Sequence, residues 1–197
     1  MRKLKYILAS VVLAAGFASC ETEPIDEKVK DDSLPGKTIF SFDLNAKETV
    51  VTDKVVVNFA GNSMELIARL SLINHDNTSN PEIRYKPATL YIQFSSLIVG
   101  NFPTSLSIDN PSNFMSSATL DVQELIPDDD GVLQKVWVEY STNNATEKQN
   151  AGYGNITNVN GIAKYMNGNF DYILFPEEDL PLQPQRLTKG NYNYLPY

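Results

Sequence analysis

Apolar side chains recur at every second position along most of this chain, and that period confines it to β-structure. Met64, Leu66, Ala68, Leu70 and Leu72 alternate with Glu65, Ile67, Arg69 and Ser71. Ala88, Leu90, Ile92 and Phe94 alternate with Thr89, Tyr91, Gln93 and Ser95. Gln134, Val136, Val138 and Tyr140 alternate with Leu133, Lys135, Trp137 and Glu139, and Phe170, Tyr172 and Leu174 form a further set. Successive side chains of a strand point to opposite faces, so such a run buries one face and leaves the other to solvent. Shorter runs over 38–44, 54–59, 105–108, 118–126, 154–159 and 161–165 bring the expected total to about eight to ten strands, with no amphipathic helix.

Turn residues separate these runs at Gly61-Asn62, 74–81, 109–112, 128–131, 143–152, Asn160-Gly161 and Asn167-Gly168. Asn-Gly tolerates the positive φ of tight hairpin turns, so 159–162 and 166–169 are expected hairpins. Closely spaced short strands predict an all-β fold, a single antiparallel β-sandwich or barrel. From about residue 176 the chain becomes rich in proline and tyrosine, with Pro176, Pro181, Pro184 and Pro196. Proline cannot donate to a sheet ladder, so this tail is expected to be an extended strap or an edge strand.

The N-terminus has another character. Arg2, Lys3 and Lys5 precede an apolar run over 6–17, followed by Phe17-Ala18-Ser19-Cys20. A basic n-region, a short apolar h-region and small residues before a cleavage point make residues 1–19 a secretory signal. The apolar run is too short for a membrane span, which takes about 20 residues. Cys20 is the only cysteine, placed where a lipoprotein acquires its diacylglycerol thioether. Residues 20–36 then form the lipidated cysteine and a flexible linker. Glu21, Glu23, Asp26, Glu27, Asp31 and Asp32 with Pro24 and Pro35 leave too little apolar surface there to fold. The all-β domain occupies 37–197. The early acidic cluster is either a plain solvated linker or an export signal toward the outer face of the outer membrane.

The formal charge of −8 becomes −11 once Arg2, Lys3 and Lys5 leave with the signal. An acidic chain without a basic cluster excludes nucleic acid and anionic headgroups as partners. Membrane attachment then rests on the acyl chains at Cys20.

Candidate chemistry is sparse. His75 is the one histidine, in the polar stretch His75-Asp76-Asn77, with no nucleophile elbow to accompany it. It reads as a solvated loop residue rather than a general base. Asp128-Asp129-Asp130-Gly131 holds part of a calcium loop, but Ile126 stands at the first ligand position and Trp137 at the closing one. It reads as a tight acidic turn. One histidine and no free thiol leave zinc without ligands. Gly152-Tyr153-Gly154 lacks the third glycine and the following helix of a phosphate cradle. No cofactor and no catalytic residue is expected.

Binding remains. Trp137 shares a strand face with Lys135 and Glu139, opposite Val136 and Val138. The expectation is that the tyrosine-rich tail covers this face and makes Trp137 core. Left uncovered, Trp137 would form a contact platform for a glycan or an envelope protein, and Tyr192 and Tyr194 of the tail join it as candidate ligand-binding residues.

Four features carry a resemblance. They are the Cys20 lipobox with its acidic spacer, the opening strand Ile39-Phe40-Ser41-Phe42-Asp43-Leu44, the strand entry Gly100-Asn101-Phe102-Pro103, and the late pair Gly154-Asn155-Ile156-Thr157 and Gly168-Asn169-Phe170-Asp171-Tyr172. In these the chain resembles small all-β cell-envelope lipoproteins of Bacteroidota that are described as domains of unknown function, with Phe102 where that group tends to have tyrosine. The resemblance implies an all-β fold and an envelope location. It implies no activity and no functional residues.

Overall fold

The computed structural model describes residues 36–75, 84–104, 114–128, 130–145, 151–177, 180 and 182–197. Cys20, the linker up to residue 35 and the expected strand over 105–108 lie outside the described residues. The folded unit is Gly36–Tyr197.

Among the described residues eleven strands follow one another: β1 (Ile39–Leu44), β2 (Glu48–Thr52), β3 (Val55–Ala60), β4 (Ser63–Ile73), β5 (Tyr85–Phe94), β6 (Gly100–Pro103), β7 (Ser116–Pro127), β8 (Leu133–Ser141), β9 (Gly152–Asn160), β10 (Tyr165–Pro176) and β11 (Gln185–Pro196). Every pairing is antiparallel. One layer runs β2-β1-β11-β10-β9-β6 and the other β3-β4-β5-β7-β8. The far end of β10 crosses between them, where Phe175 and Pro176 pair with Ser141 and Tyr140 of β8. The sheet path does not close, so the fold is a sandwich and not a barrel.

The core lies between the layers. Met64, Leu66, Leu90, Ile92, Ala118 and Leu120 of one layer face Phe40, Phe42, Phe170, Tyr172, Leu187 and Tyr192 of the other. Phe40 stacks on Phe170 at 5.4 Å, and Phe170 on Tyr172 at 5.7 Å. Phe94 meets Phe102 edge-on at 5.2 Å, the geometry aromatic quadrupoles favour.

The long alternating runs fold where their period places them, as β4, β5, β7, β8 and β10. Three expectations are corrected. Gln185–Pro196 is neither strap nor edge but a central strand, paired with β1 on one side and β10 on the other. None of its prolines interrupts it: Pro176 and Pro184 precede it, and Pro196 is its last residue, opposite Tyr165. The strand hid from the period-2 test because Lys189 (φ 53°) and Tyr194 (φ 50°) take left-handed conformations, and the register slips beside each. The extra residues turn the buried row into Leu187, Gly190, Tyr192 and Leu195, spaced three, two and three.

The second correction is Asn167-Gly168, which makes no hairpin. It lies inside β10 at a register shift. Gly168 is opposite Tyr192, and a Cβ there would come within 2.1 Å of the Asn155 carbonyl oxygen and 2.2 Å of the Tyr192 ring. Gly190 stands reciprocally opposite Phe170, with its Cβ position 2.4 Å from that ring. Each glycine is the seat of an aromatic ring from the neighbouring strand. The third is the expected strand over 161–165, which is a turn at 161–164 that Asn160 Oδ1 closes by accepting from the N–H groups of Ile162 (3.0 Å) and Ala163 (2.8 Å).

Candidate functional site

β7 and β8 form a long hairpin whose tip is closed by Asp128. Its Oδ1 accepts from the N–H groups of Val132 (2.8 Å) and Asp130 (3.1 Å), and its Oδ2 from the Gln134 amide (3.1 Å). These bonds hold the Asp128 carboxyl below the usual carboxylate range, with the Gln134 contact the largest cause. Asp128 is therefore a turn residue, and its carboxylate is spent on the turn itself.

The hairpin sets the pleat so that Lys135, Trp137 and Glu139 point away from the core and Val138 and Tyr140 toward it. Trp137 is 58% exposed. The cover expected for it does not exist, because the tyrosine-rich segment is consumed as β11 in the opposite layer. Around Trp137, Thr89 and Tyr91 from β5, Asp121 from β7, Glu139, and Glu177 after β10 line a shallow groove of about 460 Å³. Asp121 and Glu139 stand directly opposite one another across β7 and β8. Like charges in that relation are unfavourable, and among the described residues no basic side chain pairs with either. Burial raises the Asp121 carboxyl above its ordinary value.

The two tail tyrosines do not join this face. Tyr192 is fully buried under Phe94, with its hydroxyl donating to the Asn155 carbonyl at 3.0 Å, so it has no surface left for a ligand. Burial is also the main reason its hydroxyl is pushed far above the ordinary tyrosine value. Tyr194 is half-buried beside Gly36 and Tyr165, and its backbone N–H donates to Asn167 Oδ1 at 2.7 Å. Both belong to the packing of β11.

A second concave surface opens at the end of the sandwich where β4 finishes and β5 begins, a cleft of about 420 Å³. Its walls bring together residues distant in sequence: Asn45 and Glu48 after β1, His75 after β4, Lys86 of β5, Glu124 of β7 and Tyr140 of β8, with 182–185 alongside. Lys86 Nζ pairs with Glu124 Oε2, and both side chains are largely buried. Glu48 directs both carboxylate oxygens at the Ile73 N–H, each at 3.1 Å, and His75 Nε2 stands 3.6 Å from Glu48 Oε2. Asn45 donates to Gln185 Oε1 at 2.6 Å and accepts from the Arg186 N–H at 2.8 Å. Burial first, then the Glu124 charge, pushes the Tyr140 hydroxyl up to about 12.

His75 is thus a half-exposed loop residue at the rim of this cleft. The cleft itself escaped the sequence, although a signal was there. Lys86 falls in the inward row Lys86, Ala88, Leu90, Ile92, and Glu124 in the row Leu120, Val122, Glu124. A charge at the end of each apolar row marks where the core stops and something polar begins.

Among the described residues no cluster of histidine, cysteine or carboxylate groups could hold a metal, and no helix is long and apolar enough to cross a membrane. Comparison with protein-family models, curated proteins and solved structures finds no match.

Proposed function

We propose that this chain is a lipid-anchored binding module of the bacterial cell envelope, tethered through Cys20 to the outer membrane, which holds a glycan against its Trp137 face without transforming it. The observation that carries the reading is the exposure of Trp137 on a rigid strand. A large ring left in water there is a stacking platform for the C–H face of a sugar. Tyr91 extends the aromatic surface, while Asp121, Glu139 and Glu177 supply acceptors for sugar hydroxyls. The tether is supported by the signal pattern before Cys20 and by the resemblance to envelope lipoproteins. The acidic linker would then carry the domain clear of the bilayer.

The test is a glycan and peptide binding screen on the full chain and on Trp137→Ala. The reading expects a glycan among the hits, with its binding lost in the variant. Unaltered hits in Trp137→Ala would remove the platform, and hits confined to peptides would make the partner an envelope protein.

One observation favours a second reading, a weak carboxylate-based hydrolase. Asp121, its carboxyl raised by burial, stands opposite Glu139 in the same groove, and two carboxyl groups in unlike environments are the kind of pair glycoside hydrolysis uses. Release of new reducing ends by the wild type and not by Asp121→Asn would establish it.

A further inference from the structure

The cleft at the β4–β5 end is built where the binary pattern of two strands is broken. Lys86 and Glu124 occupy inward positions that on the rest of β5 and on the centre of β7 are apolar. An ion pair taken out of water gives a fold little net stability, and apolar residues of the same volume serve as well or better. The pair therefore needs a reason beyond the fold, and it lies in the wall of a cleft of about 420 Å³, within the range of about 300–1,000 Å³ usual for small-molecule sites.

We infer that this cleft is a second binding site, for a small neutral polyhydroxylated ligand of the mono- or disaccharide class. The charges on its wall balance: Lys47 and Lys86 against Glu48 and Glu124, with His75 beside them. A net anion or cation finds no net field of opposite sign. A hydroxyl group both donates and accepts, so it matches a wall on which ammonium and carboxylate alternate. The polar groups are already fixed in place by their mutual bonds, Glu48 on the Ile73 N–H and Glu124 on Lys86, and a carboxylate with two oxygens and an ammonium with three N–H groups have more hydrogen-bonding capacity than these bonds take up. Sites fixed before binding lose little entropy on it. Leu182, partly exposed in the lining, offers an apolar surface to the C–H face of a sugar ring.

This site does not rest on the Trp137 face. Lys86 and Glu124 are on the inner side of the layer whose outer side carries Trp137. The two can be separated by one variant each.

The experiment is titration calorimetry with the full chain, using glucose, galactose, mannose, N-acetylglucosamine, lactose and cellobiose, with arginine and inorganic phosphate as charged comparators. Lys86→Met/Glu124→Gln removes both charges without stranding either, and His75→Ala alters the exposed rim, where folding is not at stake. At least one sugar should bind with a Kd below about 10 mM, weakened at least about tenfold in the double variant and about threefold in His75→Ala. Trp137→Ala should leave that binding unchanged, and the comparators should not bind. The inference is overturned if no sugar binds, if a comparator binds more tightly than every sugar, or if Trp137→Ala abolishes the binding. Full affinity in a folded double variant overturns it too. Should that variant not fold, undiminished affinity in His75→Ala does the same.

Discussion

Alanine at Gly168 should damage this protein far more than a glycine-to-alanine change in a strand usually does. A Cβ there would lie 2.1 Å from the Asn155 carbonyl oxygen and 2.2 Å from the ring and hydroxyl of Tyr192. Neither neighbour can yield freely. The carbonyl belongs to the β9–β10 ladder, and Tyr192 is fully buried and packed edge-on against Phe94 at 6.4 Å. Forcing a methyl into a filled core costs about 1–3 kcal/mol. Displacing Tyr192 also strains or breaks its 3.0 Å bond to Asn155, worth a further ~0.5–1.5 kcal/mol. The total, roughly 2–4 kcal/mol, is a large share of the ~5–15 kcal/mol that holds a domain folded. For a domain of this size it lowers Tm by roughly 5–15 °C. Urea unfolding followed by circular dichroism measures it, together with Tyr192→Leu and the double variant. Because the methyl and the ring compete for one space, the double variant should be at least about 1 kcal/mol more stable than the sum of the single changes requires. A Gly168→Ala protein within about 0.5 kcal/mol of wild type would refute the packing argument, and so would strict additivity. Additivity is what a hairpin turn at Asn167-Gly168 would have given.

Three further outcomes can be measured. The Tyr140 hydroxyl sits at about 12 instead of 10, so the folded state keeps that proton longer than the unfolded chain. Its contribution is intact below pH ~10 and about 2–3 kcal/mol is lost as pH rises through ~12, so Tyr140→Phe should flatten the alkaline limb of a stability–pH curve. Asp128 is the opposite case: its carboxyl is held low, so its support of the hairpin tip is present above the ordinary carboxylate value and is lost as pH falls through the depressed one. Asp128→Ala should speed amide exchange at Val132 while leaving exchange in β4 and β5 unchanged, and unaltered Val132 exchange would contradict the turn. The proposed tether predicts that Cys20→Ser abolishes incorporation of labelled fatty acid and releases the protein from membranes, and label retained in the variant would refute it.

The candidate sites were legible to different degrees. The side of β8 on which Trp137 points follows from the alternation of Val136 and Val138 alone. Whether that side is covered depended on where the tail went, and the bulges at Lys189 and Tyr194 hid the tail from any count of every second residue. Tyr192 looked like a surface aromatic among polar neighbours because its companions in the buried row, Leu187, Gly190 and Leu195, do not follow period 2. The cleft was marked only by Lys86 and Glu124 at the ends of two apolar rows. No spacing in the chain joins them to Asn45, Glu48 or Gln185.

What the amino-acid sequence determined by itself is what depends on neighbours along the chain. Alternation fixed the β class and the buried face of each regular strand, and the segment before Cys20 set the expectation of a lipid tether. Tertiary structure alone decided what depends on neighbours across the chain. It placed β11 at the centre of its layer, fitted two aromatic rings over two glycines, left Trp137 in water and closed a polar cleft from six distant segments. The physical reason is that strand order and bulge position minimise the free energy of the whole sandwich. Local periodicity carries no record of which strand lies beside which.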